Sequence, residues 1–298
     1  MHRMENAASR APRPPKEIIF PGYGLYTVTG QEAYAYRPED DSLLHPATVV
    51  VASAPTWRKT VGLLRDNRLG WATVLTPELI TVADITASTA LDTAYRTAEA
   101  NLEEAVRLSE AQPYAQFVIG TPYWPEGSAR PFNAAVTLQN GRIGTVALKR
   151  LLHSDELTFF DVQPEAAPAQ LDNATLLVCR DLIGAEIATT YPDTDRLVKY
   201  VEVLTQDQAL AERYRGARML ALSSQRLLVS ACWGTGLVNL GERQALRDDH
   251  YLALLRLTAG RILAACANVQ QIIVCDRAPL PDSQGGTSSR PISGVFFR

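Results

Sequence analysis

Three side chains in this sequence could do chemistry together: the thiol of Cys179, the carboxylate of Glu78 and the ammonium of Lys149. A thiol with a pKa of about 8.5 is mostly protonated at neutral pH, so as a nucleophile it needs a base for its proton and a cation to favour the thiolate. Each of the three stands at the end of a hydrophobic stretch or within one. Cys179 closes the run Ala174-Thr-Leu-Leu-Val-Cys179, Glu78 follows Thr73-Val-Leu-Thr-Pro77, and Lys149 follows Val146-Ala-Leu. An unpaired charge in such a place is expensive, and pairing Glu78 with Lys149 beside Cys179 would relieve the expense. Taken singly, each has a plainer reading: Cys179 as a small core hydrophobe, Glu78 as a loop carboxylate, Lys149 as a surface residue of an edge strand.

The elements that must hold these groups follow from apolar patterning. Residues 48–54 read as a buried strand, 57–69 as a helix, 71–76 as the next strand and 91–110 as a long helix with Leu91, Ala94, Ala98, Leu102, Ala105 and Leu108 on one face. Strands are expected at 116–120 and 133–138, and Asn140-Gly141 signals a hairpin into 142–148. The strand ending at Cys179 presents its sulfur at the rim of a sheet, fixed from behind and open in front, where a nucleophile is wanted. A helix over 207–215, a strand over 218–223, a helix over 245–265, a strand over 269–275 and a loop with a last short strand complete the pattern. Alternating helices and strands with an inserted hairpin pair give an α/β protein with a layered sheet. Residues 1–16 read as a disordered tail without the apolar core of a secretory signal, 17–47 as short strands or an ordered arm, and 48–298 as one domain.

Composition narrows the function. The 298 residues are 46% hydrophobic with a net charge of −3 and both signs interspersed, which speaks against a nucleic-acid or membrane-surface partner. No apolar run approaches the roughly 20 residues that span a bilayer. Cys179, Cys232, Cys266 and Cys275 have no CxxC spacing, so neither disulfides nor a metal are expected and the setting reads as cytoplasmic. GxGxxG, GxxxxGK[ST], HExxH and GxSxG are all absent. Of the scattered histidines, His153 is the only one that could join a site, and a surface role suits it better.

The order Glu, Lys, Cys at the ends of successive strands resembles the nitrilase, or carbon–nitrogen hydrolase, superfamily over roughly residues 48–296. Pro77-Glu78-Leu79 is similar to its first motif. Asn133-Ala-Ala-Val, Gly141-Arg-Ile-Gly144 and Lys149-Arg-Leu-Leu152 are similar to its second, and Val178-Cys179-Arg180-Asp181 to its third. Gly216-Ala217 to Ser224 is similar to the strand after its catalytic helix, and Arg256, Arg261 and Asn268-Val269 to its closing segment. The chain departs at Ile80-Thr-Val-Ala-Asp, at Arg180 where many members carry an aromatic residue, in the long polar stretch 189–214, and in having 17–47 ahead of the first strand. These departures touch the rim of the pocket and leave the triad whole.

The resemblance implies a four-layer α-β-β-α sandwich and a homodimer or larger homo-oligomer. It implies hydrolysis of a small-molecule amide, or less readily a nitrile, through a thioester on Cys179, without cofactor. Glu78 would be general base and acid, while Lys149 and the backbone N–H of Arg180 would stabilise the oxyanion. Glu156 is similar in placement to a second family glutamate that positions substrate, and otherwise reads as a solvated loop acid. Asp181 is expected to cap the helix after the nucleophile. Arg180 either selects an acidic substrate or pairs with Asp181 or another surface acid, the second being the expectation. An acyltransferase on the same scaffold and a catalytically silent scaffold are the competing readings.

Overall fold

Short apolar runs make strands buried on both faces, and amphipathic segments make the helices that cover them. The computed structural model describes residues 15–39, 44–83, 90–191, 193–232, 248–277 and 292–298. The chain enters through β1 (Lys16–Ile19) and the hairpin β2 (Gly24–Thr29) and β3 (Glu32–Ala35). It continues as β4 (Val49–Ser53), α1 (Trp57–Arg65), β5 (Thr73–Leu75) and α2 (Leu91–Ala111), then β6 (Gln116–Tyr123), β7 (Phe132–Gln139) and β8 (Arg142–Leu148). The second half runs through β9 (Ala169–Leu171), β10 (Ala174–Val178), α3 (Asp181–Thr190), α4 (Thr194–Thr205) and α5 (Gln208–Glu212). It ends with β11 (Arg226–Ser230), α6 (Asp248–Ala265), β12 (Gln271–Cys275) and β13 (Gly294–Phe297).

These strands form a seven-stranded sheet in the order β3-β2-β4-β5-β6-β7-β8 and a six-stranded sheet in the order β1-β13-β12-β11-β10-β9. Both are built on one plan. Three parallel strands (β4, β5, β6 in one, β10, β11, β12 in the other) are flanked by antiparallel neighbours. Val49, Val51, Leu75 and Val118 of the first sheet share one core with Leu176, Leu228 and Ile273 of the second, so the sheets stack face to face. Alternate residues Val50, Val74 and Phe117 face outward, where α1 and α2 cover them with Val61, Leu64, Ala105 and Leu108. Helices α3, α4 and α6 cover the outer face of the second sheet with Leu182, Val201, Leu255 and Ile262. This is the expected four-layer α-β-β-α sandwich.

The differences from expectation are local. Helix α1 ends at Arg65 rather than 69, with the Asp66 N–H closing on Gly62 O. Strand β5 spans three residues, because Trp71 lies 52% exposed against Tyr114 instead of in the ladder. Residues 218–223 are not a strand; β11 begins at Arg226. The buried Arg150 guanidinium takes the carbonyls of Arg218 (2.6 Å) and Met219 (3.1 Å), holding this stretch as a loop with the Met219 and Leu220 side chains buried. Helix α4 was not expected inside the polar stretch; Asp193 caps it, and Leu197, Val198, Val201 and Leu204 form its buried stripe. The Asn140-Gly141 hairpin is present, with both residues at positive φ. Residues 17–47 contribute β2 and β3 to one sheet and most of β1 to the other. Residues 1–14 of the N-terminal tail, 245–247 at the start of the late helix and the loop 285–291 lie outside the described residues.

Candidate active site

Open α/β sheets offer ligands the crevice at the carboxyl ends of their parallel strands, and the candidate residues converge there. Just past β5, the Thr76 hydroxyl donates to Val118 O (2.8 Å) and accepts from the Gly120 N–H (3.2 Å). The Thr76 carbonyl accepts from the Ser230 hydroxyl at 2.9 Å, and the Glu78 N–H donates to Ala231 O at 3.1 Å. The loop that carries Glu78 is therefore bonded to both sheets. It turns sharply at Leu79, whose φ is +51°. Gly120 makes that turn possible: a Cβ there would sit 2.2 Å from Pro77 O and 2.7 Å from Glu78 Cα.

Lys149 follows β8 directly, its N–H donating to Asn133 O at 2.7 Å. The next residues are clamped from the other sheet. Asp181, at the start of α3, accepts the backbone N–H groups of Arg150 (3.1 Å) and Leu151 (2.8 Å). No side chain caps α3, so Asp181 holds the lysine segment instead of capping its own helix. Burial raises the Asp181 pKa, and the Arg150 charge and these N–H bonds offset only part of that. Cys179 follows β10 at a φ of +49°, with its N–H on Ser230 O at 2.8 Å. A non-glycine residue in the left-handed region at the end of a buried strand is a nucleophile-elbow geometry.

The side chains meet in one buried cluster. The Lys149 ammonium donates to Glu78 Oε1 at 2.7 Å and to Glu156 Oε1 at 2.6 Å. The Asn133 amide donates to the same two oxygens at 2.6 and 3.4 Å, which fixes its orientation and leaves its buried Oδ1 without a hydrogen-bond partner. Glu78 Oε2 accepts the S–H of Cys232 at 2.9 Å, and Glu156 Oε2 accepts the His153 N–H at 2.9 Å. The Glu78 carboxylate and the sulfurs of Cys179 and Cys232 all lie within 4.8 Å of one another.

Burial pushes the Glu78 carboxyl up, but the Lys149 charge and the bonds from Cys232, Lys149 and Asn133 outweigh it and hold the group below the ordinary carboxylate value. Burial works against the Lys149 ammonium, and the Glu156 and Glu78 carboxylates overturn that and hold it well above the ordinary lysine value. The neighbouring Cys179 sulfur, burial and the Glu78 charge raise the Cys232 thiol well above the ordinary value. The cluster at neutral pH is thus a cation between two carboxylates, with a protonated thiol on one of them.

Glu78, Lys149 and Cys179 are brought together. Glu156 is buried on Lys149 and is no solvated loop acid. Arg180 is not paired with Asp181, and among the described residues no carboxylate forms an ion pair with it. It lies near the Tyr200 side chain, and although burial lowers the guanidinium's pKa, Cys179 and Tyr200 bring the net shift upward. The His153 ring meets Ser154 and Asp155, while its backbone N–H is what bonds Glu156 of the cluster. Sequence reasoning missed Cys232, which entered only in a cysteine count. Its position just past the strand next to the one that leads into Cys179 was the available signal, masked by misplacing that strand. Glu78, Cys179 and Cys232 form the only His/Cys/Asp/Glu group among the described residues spaced to hold a cation, which would have to displace both Lys149 and the Cys232 proton.

No family model matches the sequence, and no curated protein does. Among solved structures, the chain is similar to XC1258 from Xanthomonas campestris, described as a CN-hydrolase superfamily protein, at 16% identity and a TM-score of 0.48, over 83% of this chain and 79% of that one. It is similar to Nit3 from Saccharomyces cerevisiae, a member of branch 10 of the nitrilase superfamily, at 10% and 0.45, over 84% and 88%. Its structural neighbours are proteins of the nitrilase superfamily. A glutamine-dependent NAD+ synthetase from Acinetobacter baumannii is similar at 12% and 0.49 over 83% of this chain, which spans only 40% of the synthetase. At these identities and scores the likenesses carry no weight for chemistry or substrate. No helix among the described residues is long and apolar enough to cross a membrane.

Proposed function

We propose that the protein is a thiol-dependent hydrolase of a non-peptide carbon–nitrogen bond, an amide before a nitrile, acting through a thioester on Cys179. The observation that carries this reading is the convergence of Glu78, Lys149 and Cys179, from three separate strand ends on two sheets, in one buried cluster. Buried charge that the fold could have done without calls for a reason, and activating a thiol is one.

Glu78 takes the Cys179 proton, and the thiolate attacks the carbonyl carbon. Two of the three Lys149 N–H groups are spent on Glu78 and Glu156, which leaves the third for the developing oxyanion. The Arg180 N–H, at the start of α3, is the second donor. Glu78 then gives its proton to the leaving amine as the C–N bond breaks. Water attacks the thioester as Glu78 takes its proton in turn, the C–S bond breaks, and Glu78 returns the proton to the Cys179 sulfur. Glu156 keeps Lys149 charged and aimed.

Intact-mass measurement after mixing with a panel of small amides tests the scheme. Wild type is expected to show an adduct on Cys179 that decays in water. Cys179→Ala shows none, and Glu78→Gln forms it about 10²–10⁴-fold more slowly. An adduct that decays only when an amine is added would assign acyl transfer instead. Absence of any adduct, together with failure of Cys179 to react with iodoacetamide, would overturn both.

A further inference from the structure

We propose that Cys179 and Cys232 form a modification site, a dithiol that a peroxide converts to an internal disulfide and a thiol reductant restores. Hydrolysis as derived above gives Cys232 no step, yet this thiol lies inside the cluster. It donates to Glu78 at 2.9 Å, and its sulfur is within 4.8 Å of the Cys179 sulfur. The backbone is suited to a cross-link. Strands β10 and β11 are parallel neighbours in register Val178 to Ser230, so Cys179 and Cys232, one and two residues past that pair, are offset by one strand spacing of about 4.8 Å and one residue rise of about 3.3 Å, a Cα separation of roughly 6 Å. That spacing falls within the Cα separations disulfides accept, roughly 4.4–6.8 Å. The other thiols are placed differently: Cys275 donates into the facing sheet, to Ala52 O at 3.5 Å, and Cys266 is half-buried directly after the last residue of α6.

The groups around the pair supply each proton transfer. Glu78 takes the Cys179 proton, and the thiolate, beside the Lys149 cation, attacks one peroxide oxygen; the S–O bond forms, the O–O bond breaks, and the departing hydroxide becomes water with the proton that Glu78 gives up. Cys179 is then a sulfenic acid. Glu78, already bonded to the Cys232 S–H, takes that proton, and the Cys232 sulfur attacks the Cys179 sulfur. The S–S bond forms, the S–O bond breaks, and the oxygen leaves as a second water with the proton Glu78 held. Two thiols lose two electrons, and one peroxide becomes two waters. Cys179 is 4% and Cys232 6% exposed, openings suited to an oxidant close to water in size. The disulfide withdraws the nucleophile from use and keeps it from the irreversible sulfinic stage.

The test is anaerobic protein treated with hydrogen peroxide, then analysed by intact mass and non-reducing peptide mapping. It needs no amide substrate, so its failure is distinguishable from failure of the hydrolase reading. Wild type should lose about 2 Da, yield one linked peptide pair joining Cys179 to Cys232, and regain iodoacetamide labelling of Cys179 after dithiothreitol. Cys232→Ser, which keeps a donor toward Glu78, should instead gain about 32 Da or more on Cys179 that dithiothreitol does not remove. Wild type gaining oxygen on Cys179 without the linked pair, or a link joining either cysteine to Cys266 or Cys275, would overturn the proposal. The wild-type map decides the matter even if the variant fails to fold.

Discussion

Replacing Lys149 with methionine removes the cation that Glu78 and Glu156 share while keeping most of the side chain's volume. Two carboxylates that bonded one ammonium at 2.7 and 2.6 Å then face each other, buried, with only Asn133 between them. Both cannot stay ionised, so one takes a proton on folding. Holding a carboxyl of ordinary pKa, about 4.3, protonated at pH 7 costs about 3.7 kcal/mol. That agrees with the roughly 3–5 kcal/mol lost when one partner of a buried ion pair is removed. The sign with pH is opposite in the two proteins. In wild type, the depressed Glu78 contributes stability that is present above about pH 4.3 and lost as pH falls through its folded value. The raised Lys149 contributes stability that is present below about pH 10.4 and lost as pH rises through its folded value. In Lys149→Met the folded state binds one proton more than the unfolded chain above pH 4.3. Its stability therefore falls by about 1.4 kcal/mol for each unit of rising pH until the raised carboxyl ionises in the folded state. Urea unfolding at pH 5, 6, 7 and 8 measures this. The deficit against wild type should be near 1 kcal/mol at pH 5 and 3–4 kcal/mol at pH 7, and adding Glu156→Gln should remove most of it. A deficit of the same size at pH 5 and pH 8 would refute the reasoning.

Gly120→Ala places a methyl against the backbone of Pro77, Glu78 and Leu79; overpacking costs of about 1–3 kcal/mol are expected, with Glu78 displaced. Circular dichroism should show the fold kept while iodoacetamide labels Cys179 more slowly; unchanged labelling and unchanged melting would count against the role given to this glycine. Asp181→Asn turns an acceptor of the Arg150 and Leu151 N–H groups partly into a donor aimed at them. A loss of about 1.5–3 kcal/mol by urea unfolding is expected, with kcat for any amide that wild type turns over falling more than KM rises.

Much of the site was legible because its charges interrupt apolar runs. Glu78 and Cys179 each follow a run that reads as a buried strand, Lys149 sits between apolar residues at the end of the hairpin strand, and a charge at such a place must be paired. Glu156 and Cys232 carry no such mark, since one lies in a polar turn and the other follows a strand placed eight residues too early. Residues 218–223 and 226–230 are apolar runs of similar length, and periodicity has no means of choosing between them. The choice is made by the Arg150 guanidinium, whose claim on the carbonyls of 218 and 219 is a tertiary fact. Helix α4 was readable, its stripe at 197, 198, 201 and 204 being helical, but charged residues between those positions hid it. The elbow at Leu79 depends on an absent side chain 41 positions later, at Gly120, and no local pattern announces it.

The common plan of the two sheets has a consequence for how activity arises. Glu78 and Lys149 ride on one sheet, Cys179 and Cys232 on the other, and the bonds from Glu78 to Ala231 and from Ser230 to Thr76 span the seam. Neither half of the chain owns a working centre. Each sheet could collapse and complete its own ladders while the thiol still lacked its base and its cation. The amide-cleaving activity proposed for Cys179 should therefore return on refolding only with the step that docks sheet on sheet, after strand and helix content has recovered. The centre works as a gauge of whether the two halves have closed.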